Sequence, residues 1–254
     1  MSNRVALVTG GARRVGAEIV RSFAARGYDV LLHHGRSSEA AAALASELRE
    51  QCGVRVEVVQ DDLADAEAPG RVVATAMRVF GALHVVVSSA SIMTARPFDA
   101  VTVEEWEQTA AVNLRAPFFL MQAAARVMPE GGTIVQLSDH LAFEAVFPNL
   151  IPHQVTKAAL TQLVRTTASA LAPRIRVNAV APGLVLAPDD LSDDMIEPRN
   201  MPCFQSNDSV TNGTLVARWP PKRMAEIGTP AGSSHSAAIA GHCDAGTVKR
   251  ALGW

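Results

Sequence analysis

A histidine and a lysine one helical turn apart are the residues most suited to chemistry in this sequence. His153 and Lys157 lie in "IPHQVTKAAL" (151–160), and a spacing of four places both side chains on one helix face. Imidazoles exchange protons near neutral pH, and a nearby ammonium disfavours their charged form. Asp139 ends "GGTIVQLSD" (131–139) and precedes the histidine. The pattern predicts proton transfer, with His153, Asp139 or water as the source.

The elements that must position these residues follow from hydrophobic periodicity. Alanine-rich segments of helical spacing separate short apolar runs, and such alternation is typical of a parallel sheet covered on both faces. We therefore predict an α/β fold, a single-domain doubly wound parallel sheet of Rossmann type with helices on both faces. Thr102 and Glu105 indicate a capping box, and Pro152 suits the first turn of a helix. The predicted strands are 4–9, 29–34, 54–60, 83–89, 132–138 and 175–181.

Composition narrows the class of protein. The chain has 254 residues, 48% of them hydrophobic, and a net charge of -2, which favours one domain that binds a small molecule rather than nucleic acid or an anionic membrane. Three widely spaced cysteines predict no disulfide framework and a cytoplasmic setting. No uncharged apolar run reaches the roughly 18 residues of a membrane helix. The tail residues His235, His242, Cys243 and Asp244 match no familiar ligand spacing, so no metal is expected.

A glycine-rich turn near the start of the chain predicts a dinucleotide site. In "VTGGARRVG" (8–16), Gly10, Gly11 and Gly16 stand between a predicted strand and a predicted helix. Glycines there allow close approach of a pyrophosphate, and the helix N-terminus offers amide donors. A tight turn alone also favours glycine, but the strand before and the helix after support the dinucleotide interpretation.

The second predicted strand indicates which dinucleotide. An NAD site places a carboxylate about 20 residues beyond the glycines. Here the residue 20 positions after Gly16 is Arg36, whose guanidinium can bind a 2′-phosphate through two hydrogen bonds. Arg14 adds a cation and Ser37 a hydroxyl. A solvated basic loop is the alternative, but we predict NADP(H).

Several short motifs, in order, resemble the short-chain dehydrogenase/reductase family over residues 4–188. They are "TGGARRVG", "DDLA" (61–64), "VSSAS" (87–91), "VNLRAPF" (112–118), "SD" (138–139), Lys157 and "RVNAVAPG" (176–183). Within the family the chain is most similar to pteridine reductases and dihydromonapterin reductases. Three features carry that similarity: Arg14 in place of the middle glycine, the series His33, Arg36 and Ser37, and Asp139 at the usual serine position.

The resemblance implies roles for individual residues. Asp62 and Leu63 would border the adenine, and Lys157 would hold the nicotinamide ribose while Asn113 supports a water chain. The implied catalytic set is Asn113, Ser138, Asp139, His153 and Lys157. The implied cofactor-binding set is Gly10, Arg14, Val15, Gly16, His33, Arg36, Ser37, Asp62, Leu63, Ser89, Ala90, Ser91, Lys157, Pro182 and Gly183. Long helices near 102–128 and 153–172 would pair in a homodimer or homotetramer.

The departures from the family bear on activity. His153 occupies the position of the catalytic tyrosine, and Tyr28 is the only tyrosine in the chain. Asp139 lies one residue farther from His153 than is usual in the family, which implies an insertion between them. Ser138, Asp139 and His140 are therefore all candidates for the serine position. Residues 1–188 are predicted to form the NADP-binding catalytic domain, and 189–254 a divergent substrate-lid region.

These observations predict an NADP(H)-dependent oxidoreductase that reduces a carbonyl or a pterin-like imine, with His153 in place of tyrosine. Two alternatives stay open. One is a catalytically impaired nucleotide-binding protein, and the other is a lyase or epimerase on the same fold.

Overall fold

Six parallel strands form one sheet in a computed structural model, which describes residues 3–143 and 147–182. The strand order is β3-β2-β1-β4-β5-β6. The strands are β1 (Val5–Thr9), β2 (Asp29–His34), β3 (Val56–Gln60), β4 (Val85–Ser88), β5 (Gly132–Leu137) and β6 (Ile175–Val180). The helices are α1 (Arg14–Ala24), α2 (Ser38–Cys52), α3 (Ala68–Phe80), α4 (Val103–Ala110), α5 (Ala116–Val127) and α6 (Ile151–Leu171).

Both faces of the sheet are covered, because successive strand residues point to opposite sides and nearly all are apolar. On one face Val8 and Leu32 pack with Phe23 of α1 and with residues of α2. On the other, Leu7 and Ile134 pack with residues of α3, α5 and α6. The predicted doubly wound parallel sheet is confirmed.

The predicted long helix near 102–128 is present, with a change of helical type inside it. Helix α4 begins with the predicted capping box of Thr102 and Glu105, but a π-helical turn at Ala111–Arg115 separates it from α5. Pro117 lies in the first turn of α5 and has no N–H for the carbonyl of Asn113, four residues earlier. The helix therefore widens at the segment that carries Asn113.

The strand order reverses between β1 and β4, where Thr9 pairs with Ser88. In open parallel sheets a crevice for ligands forms at the carboxyl ends of the strands at such a point. The predictions for Gly183, for the lid region 189–254 and for the boundary at 188 fall outside the described residues. Within the described residues, no helix is long and apolar enough to cross a membrane.

Candidate active site

The glycine turn after β1 packs so tightly that side chains are excluded at two positions. Gly10 has φ +64°, and a Cβ there would lie 2.8 Å from the Ala90 Cα. A Cβ on Gly16 would lie 2.0 Å from the Gly10 carbonyl oxygen. Backbone therefore approaches backbone at the start of α1, as a pyrophosphate site at a helix N-terminus requires.

A cleft of about 590 Å³ opens beside this turn, at the crevice between β1 and β4. The predicted cofactor residues that line it are Gly10, Arg14, Val15, Gly16, His33, Arg36, Asp62, Leu63, Ser89, Ala90 and Ser91. Its lining also includes residues that were not predicted, namely Arg13, Gly35, Asp61, Ile92, Thr94, Gln108 and Val112. Ser37, Lys157 and Pro182 were predicted to bind the cofactor but do not line this cleft.

Three arginines line the cleft, Arg13, Arg14 and Arg36, and these cations suit a phosphorylated ligand. Arg14 has φ +51°, a backbone conformation that favours glycine, so an arginine there is strained and still places a guanidinium at the cleft. The Arg36 side chain is exposed and forms no hydrogen bond or ion pair with the described residues. The closed glycine turn and these cations fit NADP(H).

His33 ties the glycine turn to the far side of the cleft. Its Nδ1 accepts from the Gly10 N–H at 3.4 Å, so Nε2 carries the proton and donates to the Asp61 carbonyl oxygen at 3.1 Å. The Gly11 N–H also donates to the His33 carbonyl oxygen at 2.9 Å. Burial lowers the pKa of His33, and the bond to Asp61 only partly opposes that shift. The neutral ring is therefore a structural brace.

Asn113 is a positioning residue whose amide is fully used inside the protein. Its Oδ1 accepts from the Ser91 hydroxyl at 3.1 Å and from the Ile92 N–H at 2.9 Å. Its Nδ2 donates to the Ile92 carbonyl oxygen at 2.9 Å and to the Thr156 hydroxyl at 3.3 Å. Asn113 therefore fastens the loop after β4 to α6, and its predicted catalytic role stays a prediction.

Ser138, another candidate for the catalytic serine position, points into the core. Its hydroxyl is buried against α6, where it contacts the Thr161 hydroxyl at 2.8 Å and the Lys157 carbonyl oxygen at 3.3 Å. Both contacts are within the core, so Ser138 anchors the end of β5 to the helix.

Asp139, one of the three candidates for the serine position, faces His153. Its Oδ2 lies 3.0 Å from His153 Nε2, and its Oδ1 lies 2.9 Å from His140 Nδ1 and accepts from the Leu141 N–H at 2.9 Å. Burial raises the pKa of the Asp139 carboxyl, but the hydrogen bonds from the two histidines and Leu141 outweigh it and hold that pKa well below its usual range. Asp139 is therefore ionised.

Lys157 is close enough to interact electrostatically with this carboxylate. Its ammonium donates to the Leu137 carbonyl oxygen at 2.7 Å. Burial lowers the pKa of Lys157 to about 8, and the negative charge of Asp139 partly opposes the shift. At pH 7 the side chain is mostly cationic.

A family model described as short chain dehydrogenase matches residues 4–193. The chain belongs to the short-chain dehydrogenase/reductase family. Versicolorin reductase 1 of Aspergillus parasiticus is 34% identical over 186 residues, which cover 73% of this chain and 71% of that protein.

Solved structures of the short-chain dehydrogenase/reductase family agree with the fold. A short-chain dehydrogenase from Burkholderia cenocepacia J2315 in complex with NADP has a TM-score of 0.70 and 37% identity, over 72% of this chain and 74% of that chain. A blue fluorescent protein from a metagenomic library in complex with NADPH has a TM-score of 0.69 and 37% identity, over the same shares. These relatives do not single out the pteridine reductase subgroup, so that resemblance stays a prediction.

Among the residues that the sequence analysis of this short-chain dehydrogenase/reductase missed, Ile92 contacts both His153 and Asn113. Its carbonyl oxygen lies 3.2 Å from His153 Nδ1 and also accepts from Asn113. The backbone makes both contacts, so no side-chain type signals them. The position directly after "SSAS" is the only hint that the sequence offers.

We predict that the stability of this short-chain dehydrogenase/reductase falls with acid through His33. Burial lowers the folded-state pKa of His33, so as pH falls below the unfolded value of about 6.5 the unfolded chain takes up a proton first. The stabilising contribution of the neutral His33 ring is complete above the unfolded-state pKa and is lost as the pH falls toward the lower folded-state pKa. Urea unfolding at pH 7.5 and 5.5 should show a shallower pH dependence for His33→Gln than for the wild type.

His84→Gln is the control for the brace. Burial lowers the pKa of His84 as well, but its Nδ1 accepts from the Val5 N–H at the opposite end of the sheet. Both variants should flatten the pH dependence, and only His33→Gln should also weaken NADPH binding. An unchanged pH dependence in His33→Gln would refute the assignment.

Proposed function

We propose that the chain is an NADP(H)-dependent oxidoreductase that reduces a carbonyl or a pterin-like imine. The observation that carries the proposal is Arg36 at the cleft, in the place where an NAD site has a carboxylate. Arg14 supplies a second cation there. Complexes with NADP and NADPH among the similar structures support this cofactor.

The residues of the chain have distinct tasks in this proposal. NADPH, when bound, supplies the hydride. Gly10, Gly16 and the N-terminus of α1 hold the pyrophosphate, and Arg36 binds the 2′-phosphate. The Lys157 ammonium attracts the anionic cofactor. The proton reaches the substrate through the hydrogen-bonded pair of Asp139 and His153. The pair is accessible from outside because the Asp139 side chain keeps 22% of its surface exposed.

An absorbance assay tests the reaction. NADPH oxidation should be followed at pH 7 with ketones, aldehydes, quinones and dihydropterins. We expect His153→Phe to lower turnover by about 10²-fold or more, the usual contribution of one general acid, with little loss of NADPH affinity. Val155→Ala, an exposed position on the same helix, should change neither.

The alternatives give different results in the same assay. A nucleotide-binding protein without activity would bind NADPH and oxidise none of it with any substrate. A lyase or epimerase would convert its substrate with no net change in NADPH absorbance. Either result would overturn the proposed reductase.

Cofactor preference is a separate prediction that follows from Arg36. NADPH should bind at least about tenfold more tightly than NADH, or about 1.4 kcal/mol. Arg36→Asp should remove the preference, because a carboxylate repels the 2′-phosphate. Arg78→Asp, an exposed charge reversal on α3, should leave it intact. Equal dissociation constants for the two cofactors in the wild type would contradict the proposal.

We also propose that the chain forms a homodimer or homotetramer through α5 and α6. An apolar groove between these helices is lined by Leu114, Phe118, Ala159 and Leu163. Phe118 is 41% exposed, and such apolar surface favours a closed symmetric contact with a second copy.

Leu163→Arg tests this contact by placing a charge in the groove. Sedimentation at micromolar concentration should give a dimer or larger mass for the wild type and a monomer mass for the variant. Ala43→Arg, at an exposed site on α2, is the matched control and should keep the wild-type mass. A monomeric wild type would contradict the proposal.

A further inference from the structure

An acidic residue that lines the cofactor cleft is paired with an arginine from outside it. Asp61 follows β3 and lines the cleft together with Arg36. Arg71, in the first turn of α3, is not among the lining residues in the described part of the chain. Its Nε donates to Asp61 Oδ2 at 3.0 Å and its Nη2 to Asp61 Oδ1 at 2.7 Å. The guanidinium therefore holds the carboxylate by two parallel hydrogen bonds, the strongest geometry for such a pair.

The backbone at Asp61 runs beside the segment that carries Arg36. The Asp61 N–H donates to the His34 carbonyl oxygen at 3.2 Å, and His34 is paired with Gln60 in the sheet. The Gln60 side chain also donates to the Gly35 carbonyl oxygen at 3.1 Å. The two residues before Arg36 are thus both bonded to the end of β3. An acid at position 61 and the arginine proposed to bind the 2′-phosphate therefore share one edge of the cleft.

The charge of Asp61 matters because the proposed ligand is an anion. A carboxylate without a cationic partner at this edge would repel a 2′-phosphate and attract the guanidinium of Arg36. The hydrogen bonds from Arg71 lower the pKa of Asp61, and partial burial opposes that shift only in part. Asp61 therefore stays ionised, and its pair with Arg71 has no net charge.

Two neighbouring acids differ from Asp61 in ways that an experiment can use. Asp65 also accepts from Arg71 Nη2, at 2.7 Å, but half of its side chain is exposed and it does not line the cleft. Asp62 lines the cleft, but its Oδ1 accepts from the Ala64 N–H at 2.9 Å. Asp61 is thus the acid that both lines the cleft and is paired with Arg71.

We propose that Arg71 is a specificity-determining residue, which acts on the cofactor through Asp61. By pairing with that carboxylate it leaves Arg36 available to the 2′-phosphate and removes a repulsive charge from the same edge. This inference rests on the proposed use of NADPH. A purely structural role of Arg71 in the loop after β3 would instead affect NADPH and NADH alike, because the two cofactors differ only in the 2′-phosphate.

Dissociation constants of NADPH and NADH, measured by fluorescence titration, test the role of Arg71. The quantity compared is the preference, which is the constant for NADH divided by that for NADPH. Arg71→Gln should lower it on the order of tenfold at low salt, because charges near a protein surface interact at an effective dielectric constant of about 20. The effect should shrink at high salt, which screens exposed charges. Arg78→Gln, the same change at an exposed site on α3, should keep the preference.

Second substitutions separate the charge of Asp61 from the shape of the loop. Adding Asp61→Asn to Arg71→Gln should restore the preference for NADPH, because the unpaired carboxylate is then gone. Adding Asp65→Asn should not restore it, although Asp65 contacts the same arginine. Arg71→Lys should keep part of the preference, since an ammonium retains the charge but not the two parallel hydrogen bonds.

The outcomes distinguish this inference from the proposed cofactor. If the wild type prefers NADPH and Arg71→Gln prefers it equally, or binds both cofactors more weakly by the same factor, the role of Arg71 is overturned and the cofactor stands. Equal binding of both cofactors by the wild type would overturn the proposed cofactor and the role of Arg71 with it. Asp61→Asn alone, which leaves Arg71 in place, should keep or raise the preference, and a fall would also overturn the inference.

Discussion

The site depends on one backbone contact, the approach of the start of α1 to the turn after β1. A Cβ on Gly16 would lie 2.0 Å from the Gly10 carbonyl oxygen, so this contact exists only because the residue has no side chain. The glycine turn also packs against Ala90, because a Cβ on Gly10 would lie 2.8 Å from the Ala90 Cα. Since β1 and β4 are neighbours at the reversal of strand order, these contacts set the width of the cleft.

Charge is arranged in the second half of the site around a single carboxylate. Asp139 contacts two histidines and interacts electrostatically with the Lys157 ammonium, just after the carboxyl end of β5. Burial disfavours every charged form there, and direct hydrogen bonds decide which charges survive. The Asp139 carboxylate stays ionised because three hydrogen-bond donors surround it. Lys157 stays mostly cationic at pH 7 because its pKa, although lowered by burial, is still about 8.

Much of the fold and the cleft was predictable because residue types alone indicate backbone conformation and charge. Glycines mark backbone that must come close, and Arg36 marks a cationic edge of the cleft. The break in the helix at Ala111–Arg115 was also visible in principle, since Pro117 removes the bond to the carbonyl four residues earlier. The sequence analysis placed one long helix near 102–128 from the family resemblance, which does not show the π turn.

The chemistry beside His153 was less predictable because it depends on orientation. Ser138 and Asp139 are adjacent, and only the direction of each side chain shows that one enters the core and the other faces the histidine. The expected effect of Lys157 on His153 was likewise argued from spacing on a helix. Spacing could not show that the ammonium is bonded to Leu137.

Ile92 connects the two halves of the site. Ile92 lines the cleft, and its N–H and carbonyl oxygen both form hydrogen bonds with the Asn113 amide. The same carbonyl oxygen also contacts His153. A ligand that shifts the loop after β4 must therefore move an acceptor of the imidazole, and Asn113 resists that shift from the π turn. The loop that borders the cleft thus also positions the histidine, so a ligand in the cleft is expected to act on the orientation of the His153 ring.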